Sequence, residues 1–292
     1  MSGDVNVLSL FDGISCGRLA LQRANVAIDK YYSIETNEYA IKIANNNYPQ
    51  DKEYRLGDVR NIKGRDLPQI DLLIACSPCQ GFSVAGKRLN FKDERSDLFF
   101  EFVRLLREVK PKYFLLENVV MKKECQDIIS DILKVQPVKI NSALVSAQNR
   151  NRLYWTNIPN ITQPQDKNIK LNDVLDTHEF RELKPFCFKL HNGVAIKDIL
   201  KTVCDEKANC LTTNKTHTKQ YYLNKEKNKM RNLSVNEYEK LQTLPIDYTV
   251  GVSNTQRYKS IGNAWTVDVI AHIFKRLAED LQKKQNTIKK GN

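Results

Sequence analysis

The sequence predicts an α/β protein built on a doubly wound, mostly parallel sheet with a small irregular second domain. Three observations predict it. Apolar runs of strand length alternate with amphipathic helical segments through the first half of the chain. Most of these runs stop at a glycine turn, a carboxylate or a thiol, the residue types expected where parallel strands present ligands at their carboxyl ends. Beyond residue 158 the texture turns polar and proline-punctuated, and a helical pattern resumes at residue 234.

The totals narrow the classes. A chain of 292 residues suits one large domain carrying a smaller insert. A formal charge of +12 and a pI near 9.3 favour a polyanionic partner. MSGDVNVLSLFDG lacks a basic n-region and its apolar run is cut by Asn6, Ser9 and Asp12, so no signal peptide is expected. No apolar run approaches the roughly eighteen residues of a membrane span. Seven cysteines without regular spacing suggest reduced thiols and a cytoplasmic setting.

Residues 5–10 alternate apolar and polar, break at Phe11-Asp12-Gly13, and lead through Gly17 into an amphipathic segment. That is a strand, a glycine turn and a helix, suited to a nucleotide-like ligand, although Gly13 and Gly17 do not complete a GxGxxG fingerprint. A strand over 31–34 ends in Glu35, at the spacing where an acid reaches a ribose hydroxyl. A helix is expected over 39–46, and a third strand over 54–59 containing Asp58 near its end. The run Leu72 to Ala75 has the length and branching of a buried strand and stops at Ser77-Pro78-Cys79-Gln80-Gly81. Pro78 fixes its own φ and biases Ser77 toward extended geometry, presenting Cys79 on a stiff turn.

A basic loop over 87–95 precedes a helix that Ser96 can cap, with Leu98, Phe102, Leu105 and Val109 on its core face. A strand over 113–116 ends in Glu117-Asn118-Val119, a helix follows over 123–133, and 138–145 is extended. Arg150 and Arg152, two apart, should share one face of a strand that continues to residue 158. Residues 212–220 read by composition as a solvated loop. Ser234 and Glu237 make a capping box, and Val269, Ile270, Ile273, Phe274, Leu277 and Leu281 form the apolar stripe of a last helix.

Cys79, Glu117 and the arginine pair thus gather at one rim. Neighbouring positive charge favours a thiolate, the nucleophilic form, and Glu117 is better suited to bonding a substrate ring than to activating the thiol. Cys76 and Cys79 form a CxxC, but one that straddles a strand end instead of opening a helix; Cys76 is read as strand packing. Burial is the bland alternative for Cys79. Cys204, Cys210, His191 and His217 fit no compact zinc finger, so no metal is expected.

Together and in order, these segments resemble the DNA cytosine-5 methyltransferases. Phe11-Asp12-Gly13 with Gly17 resembles the S-adenosyl-L-methionine turn, Pro78-Cys79-Gln80 the nucleophile motif, Glu117-Asn118-Val119 the ring-protonating motif, and Gln148 with Arg150 and Arg152 the QxRxR motif. Arg231-Asn232-Leu233-Ser234 through Pro245 is similar to the segment after target recognition, and Gly262-Asn263-Ala264 to the final motif. LFDGI, LFFEFVRLL, VSAQNRNRLYW, LTTNKTHTKQ and AWTVDVIAHIF look nearest to the catalytic domains of animal de novo enzymes. The first turn departs from many bacterial members in lacking a double glycine, and Val145-Ser146-Ala147 replaces the usual tyrosine-glycine context before Gln148.

The resemblance implies a Rossmann-like methyltransferase fold, S-adenosyl-L-methionine as cofactor and double-stranded DNA as partner. It implies Cys79 as nucleophile, Glu117 on the ring, and Arg150 and Arg152 aligning base and thiol. Phe11, Asp12, Gly13, Gly17, Glu35, Thr36, Asp58, Val59, Pro78, Leu98, Asn263 and Ala264 would hold the cofactor. Because the thiolate must reach a ring face covered by stacking in a duplex, the base must flip out. The loop over 81–95 is the natural clamp, with Gln80, Ser83, Lys87, Arg88, Lys92 and Arg95 against DNA, and Thr212, Thr213, Asn214 and Lys215 begin the best recognition loop. The expected divisions are 1–158 catalytic and cofactor-binding, 159–250 target recognition, 251–282 returning to the catalytic domain, and 283–292 a disordered basic tail. A restriction endonuclease partner would leave no trace in the sequence, and a monomer is expected over an oligomer. The alternatives are an RNA methyltransferase, whose usual cysteine-phenylalanine-threonine signature is not found, and an inactive DNA-binding relative, which should have lost Cys79, Glu117 or the cofactor acids.

Overall fold

Strands β1 (Val5–Leu10), β2 (Ile28–Ile34), β3 (Leu72–Cys76), β4 (Tyr113–Val119), β5 (Val138–Asn141) and β6 (Asn151–Thr156) form one sheet in the order β2-β1-β3-β4-β6-β5. The computed structural model describes residues 4–76, 94–176, 207–212, 221–224 and 229–291. Strand β1 pairs in parallel with β2 on one side and β3 on the other, β3 pairs in parallel with β4, and β6 runs antiparallel to β4. The chain therefore winds outward from β1 in both directions, which is the predicted doubly wound, mostly parallel sheet. Such a reversal opens a crevice at the carboxyl ends of β1 and β3.

The helices are α1 (Cys16–Arg23), α2 (Glu38–Asn47), α3 (Glu94–Val109), α4 (Lys123–Leu133), α5 (Val235–Leu241), α6 (Asn254–Asn263) and α7 (Val267–Gly291). Asn37 caps α2 by accepting from the Tyr39 and Ala40 amides. Ser234 and Glu237 close the predicted capping box on α5. Leu8, Leu10, Leu73, Ala75, Phe102, Leu116 and Trp155 lie in one buried cluster, and the Trp155 indole N–H is satisfied by Ser130 Oγ at 3.0 Å. A short hairpin, β7 (Tyr221–Asn224) with β8 (Lys229–Asn232), is the only other sheet among the described residues.

Two compact units result: Met1–Ile140 with Asn151–Pro164 and Val267–Asn292, and Asn141–Arg150 with Gln165–Thr266. Among the described residues, no helix is long and apolar enough to cross a membrane.

Four local expectations change. Residues 54–59 are not a strand: one isolated bridge joins Ser33 to Arg55, Gly57 takes φ +79°, and Asp58 caps a 3-10 turn through the Arg60 amide. The glycine conformation turns the chain out of extended geometry before a ladder can propagate. Ser96 lies inside α3 and does not cap it, because the helix-forming Glu94 and Arg95 start the helix earlier. Strand β6 begins at Asn151, so Arg150 stands before it; its amide donates to Asn141 Oδ1 and its carbonyl accepts from Ser142. The tail expected to be disordered continues α7 to Gly291. No glycine or proline interrupts it before that residue, and Lys284 pairs with Asp280 one turn back at 2.6 Å while donating to the Tyr113 hydroxyl at 2.8 Å.

Candidate active site

In the first unit, the turn after β1 is held from below. Phe11, Gly13 and Ser15 all have positive φ, at 55°, 59° and 61°. Two of these residues carry a Cβ, so the conformation must be held by bonding. Asp12 does this: its Oδ1 accepts from Ser9 Oγ and Tyr31 Oη, each at 2.6 Å, and its Oδ2 from Ser15 Oγ at 2.6 Å, with Arg55 Nη1 3.7 Å away. Burial pushes the Asp12 carboxyl above its ordinary range while the hydroxyl donors and Arg55 pull it back. Burial and the Asp12 charge push the Tyr31 phenol well above its usual value, keeping it a donor. Asp12 was expected to hold the cofactor, yet its carboxylate faces these internal donors, and its place is to shape the turn.

Glu35, at the end of β2, braces the same turn. Its Oε2 accepts from the Gly13 amide at 2.8 Å, and Oε1 from the Thr36 and Asn37 amides at 2.9 and 2.8 Å. Gly17 is buried in α1, Phe11 and Leu98 pack partly buried against the core, Thr36 is exposed, and Val59 is buried beside the capping Asp58.

These residues fit S-adenosyl-L-methionine. A Cβ at Gly13 would meet nothing within 4 Å, so the turn opens onto space. The Glu35 carboxylate, an acceptor suited to a ribose diol, stands against that turn, and the buried Arg55 Nη2 beneath it has no hydrogen-bond partner.

Further along the rim, Cys76, the last residue of β3, stands in register with Glu117, two residues before the end of β4. Glu117 is 3% exposed. Its Oε1 is 2.9 Å from Arg152 Nε, and its Oε2 accepts from Cys76 Sγ at 2.9 Å. Arg152 also donates from Nη1 to the Asn151 carbonyl at 2.8 Å. A buried carboxylate gripped at both oxygens is rigid and can present one fixed edge to a polar ring. Cys76, whose sequence context suggests strand packing, instead turns its thiol onto the acid. Asn118, 1% exposed, keeps Oδ1 on the Val119 amide and leaves Nδ2 without a partner.

In the second unit, Arg150 is 5% exposed and its guanidinium is spent on the protein itself. Nη1 donates to the Leu211 carbonyl at 3.0 Å and Nη2 to the Ala264 carbonyl at 3.0 Å, with longer contacts of 3.4 Å to the Gly262 carbonyl and Cys210 Sγ. Gln148 accepts from the Leu211 amide at 2.9 Å. Leu211 is therefore clamped at both backbone groups, directly before the exposed Thr212. Arg150 was expected beside Arg152 on a strand face as an aligning group. Here it ties Leu211 to residues 262–264, the turn that closes α6, because it precedes β6 and its side chain is buried among carbonyls. Asn263 is exposed and Ala264 buried on that turn.

Pro78, Cys79, Gln80, Ser83, Lys87, Arg88, Lys92, Thr213, Asn214 and Lys215 lie outside the described residues, and Arg95 falls in the first turn of α3. Among the described residues, no cluster of three or more His, Cys, Asp or Glu is placed to hold a metal ion.

The model of the C-5 cytosine-specific DNA methylase family matches residues 5–221 and 121–279. The type II methyltransferase M1.ScrFI of Lactococcus lactis subsp. cremoris is 30% identical over 95% of this chain and 79% of its own length. The orphan methyltransferase M.SPRI of Bacillus phage SPR is 32% identical over 77% of this chain, and that match spans only 53% of the phage protein. In fold, the chain is similar to the Dnmt2 methyltransferase of S. pombe, with TM-score 0.72, 20% identity, and 95% and 99% of the two chains covered. It is also similar to the Entamoeba histolytica methyltransferase EhMeth, with TM-score 0.75, 20% identity and the same coverage. With a family model matching most of its length and a relative 30% identical along nearly all of it, the chain belongs to the C-5 cytosine-specific DNA methylases, enzymes whose methyl donor is S-adenosyl-L-methionine.

Proposed function

We propose that this chain methylates C5 of a cytosine flipped out of double-stranded DNA, through a covalent bond between Cys79 and C6 of the base. The observation that carries the proposal is the gripped carboxylate of Glu117, set in register with the end of the strand that leads, three residues on, to Cys79. Cytosine C5 is a weak nucleophile. Attack of the Cys79 thiolate on C6 moves an electron pair toward C5; a proton shared between the Glu117 carboxyl and ring N3 stabilises the charge that shifts there as the bond forms, while the N4 amino group donates to the carboxyl. Arg152 keeps that carboxylate in place. S-adenosyl-L-methionine supplies an electrophilic methyl group to C5. Loss of the C5 proton to a base then re-forms the double bond and expels Cys79 as thiolate, restoring the ring.

The turn shaped by Asp12 and Glu35 would hold the cofactor, with Gly13 leaving room for it. The charge of +12 supports a nucleic-acid substrate, and the match to the C-5 cytosine-specific DNA methylase family supports DNA over RNA. Under this reading Leu211, clamped by Gln148 and Arg150, anchors the target-recognition loop that follows it.

The test is transfer of labelled methyl groups to unmethylated plasmid, followed by bisulfite sequencing. The wild type should protect cytosines within one recurring sequence, and Cys79→Ser should protect none while still binding duplex. Methylation by Cys79→Ser at the wild-type rate would refute the covalent route.

A further inference from the structure

Cys76 is the last residue of β3, three residues before Cys79, and its in-register neighbour on β4 is Glu117. In a parallel pair, residues in register project on the same face, so the thiol and the carboxylate meet without distorting the backbone. The 2.9 Å separation between Cys76 Sγ and Glu117 Oε2 lies well inside hydrogen-bonding range for sulfur. With Arg152 on Oε1 at 2.9 Å, the two oxygens of one buried carboxylate have different owners: a guanidinium from β6 and a thiol from β3.

We propose that Cys76 is a positioning residue for methyl transfer, its S–H fixing the second oxygen of Glu117 so that the carboxylate cannot rotate about its terminal bond. This rests on the function proposed above. The Arg152 contact on Oε1 fixes one point of the carboxylate, and the Cys76 contact on Oε2 fixes a second. Two donors hold the plane. Torsions of this terminal sp³–sp² kind are broad in the absence of partners, so an unanchored Oε2 would sample orientations in which the ring edge is missed. The thiol suits the place: it is a weak donor, holding the acid without competing strongly for its charge.

The assignment separates from simple packing by which substitution is tolerated. If Cys76 merely fills space, Cys76→Val and Cys76→Ala, which keep apolar character, should do better than Cys76→Ser. If it donates, the order reverses.

The experiment measures kcat and KM for methyl transfer to duplex DNA by the full chain and the three variants, at concentrations corrected for folded fraction by thermal melting. Loss of a hydrogen bond to a charged acceptor predicts a kcat about tenfold lower in Cys76→Ala and Cys76→Val, with KM for S-adenosyl-L-methionine within about twofold, and Cys76→Ser within about threefold of wild type in kcat. Should the alanine variant fail to fold, the valine variant carries the comparison, since it fills the thiol's volume without a donor. Wild-type kcat in Cys76→Val, or serine slower than valine, overturns the positioning role. A wild-type chain that transfers no methyl under any condition would instead overturn the functional reading, so the two failures are distinguishable.

Discussion

Replacing Arg150 by methionine separates an organising arginine from a catalytic one. The side chain keeps an unbranched apolar stem and loses every donor, stranding the carbonyls of Leu211 and Ala264 that now receive bonds of 3.0 Å. The 3.4 Å contact to the Gly262 carbonyl is too long to add much, and the Cys210 sulfur, also at 3.4 Å, is a weak acceptor. Two well-formed bonds from a charged donor are worth about 1.5–3 kcal/mol each, and removal leaves their acceptors buried, so the expected loss of stability is about 3–6 kcal/mol. In urea that corresponds to a midpoint lower by about 1–2 M. Since the chain has two compact units, the transition should be followed by both tryptophan emission and far-ultraviolet dichroism, to detect whether one unit melts first. Arg150→Lys should recover part of the loss, because an ammonium reaches one carbonyl but cannot fork to two. Unchanged stability together with abolished methyl transfer would refute the assignment and return Arg150 to direct work on the substrate.

Other perturbations probe the scaffold and the turn. A Cβ at Gly64 would stand 2.5 Å from Glu108 Cβ and 3.1 Å from Val109 Cγ1, so Gly64→Ala should cost about 1–3 kcal/mol in denaturant melts. Chiefly the Gly64 amide, and also Arg104, hold the Glu108 carboxyl below its usual range. A depressed carboxylate stabilises the fold above its unfolded pKa and loses that contribution as pH falls through its folded value. Stability measured below about pH 4 should therefore fall more in wild type than in Glu108→Gln, by a small amount because the side chain is about one-third exposed. Gly13→Ala meets open space but takes a positive φ, so it should cost only about 1 kcal/mol in stability while weakening S-adenosylhomocysteine binding severalfold by calorimetry. An equal affinity in that variant would remove the turn from the cofactor site.

How much of this was legible in the sequence follows from the range over which each feature is determined. Strand β1 announces itself by alternation and β3 and β4 as apolar runs, the Ser234–Glu237 box lies within one turn, and the α7 stripe is a local period. Glu35 and Glu117 could be placed at strand ends for the same reason. The grip on Glu117 depends on register between strands whose paired residues are 41 apart, which no local pattern contains. The Leu211 carbonyl bonded by Arg150 is 61 residues away, so the arginine's i, i+2 spacing misled: it described a strand that begins only at Asn151. Asp12 reads as a ligand residue because of the turn it occupies, and only the positions of Ser9, Ser15 and Tyr31 around it show that its carboxylate faces inward. Residues 54–59 carry strand-like composition, but Gly57 and the capping Asp58 favour a turn.

The central claim is a covalent route through Cys79, and trapping tests it most directly. Fluorine at C5 of the target cytosine cannot leave as a proton does, so the ring cannot be restored after methyl transfer and the enzyme stays bonded to C6. A duplex carrying 5-fluorocytosine at a site identified by bisulfite sequencing, incubated with the chain and S-adenosyl-L-methionine, should give a denaturation-resistant complex. Peptide mapping should place the bond at Cys79, and Cys79→Ser should form no complex. A wild-type enzyme that methylates the unmodified site yet yields no adduct with the fluorinated one, or an adduct mapped to another cysteine, would contradict the account.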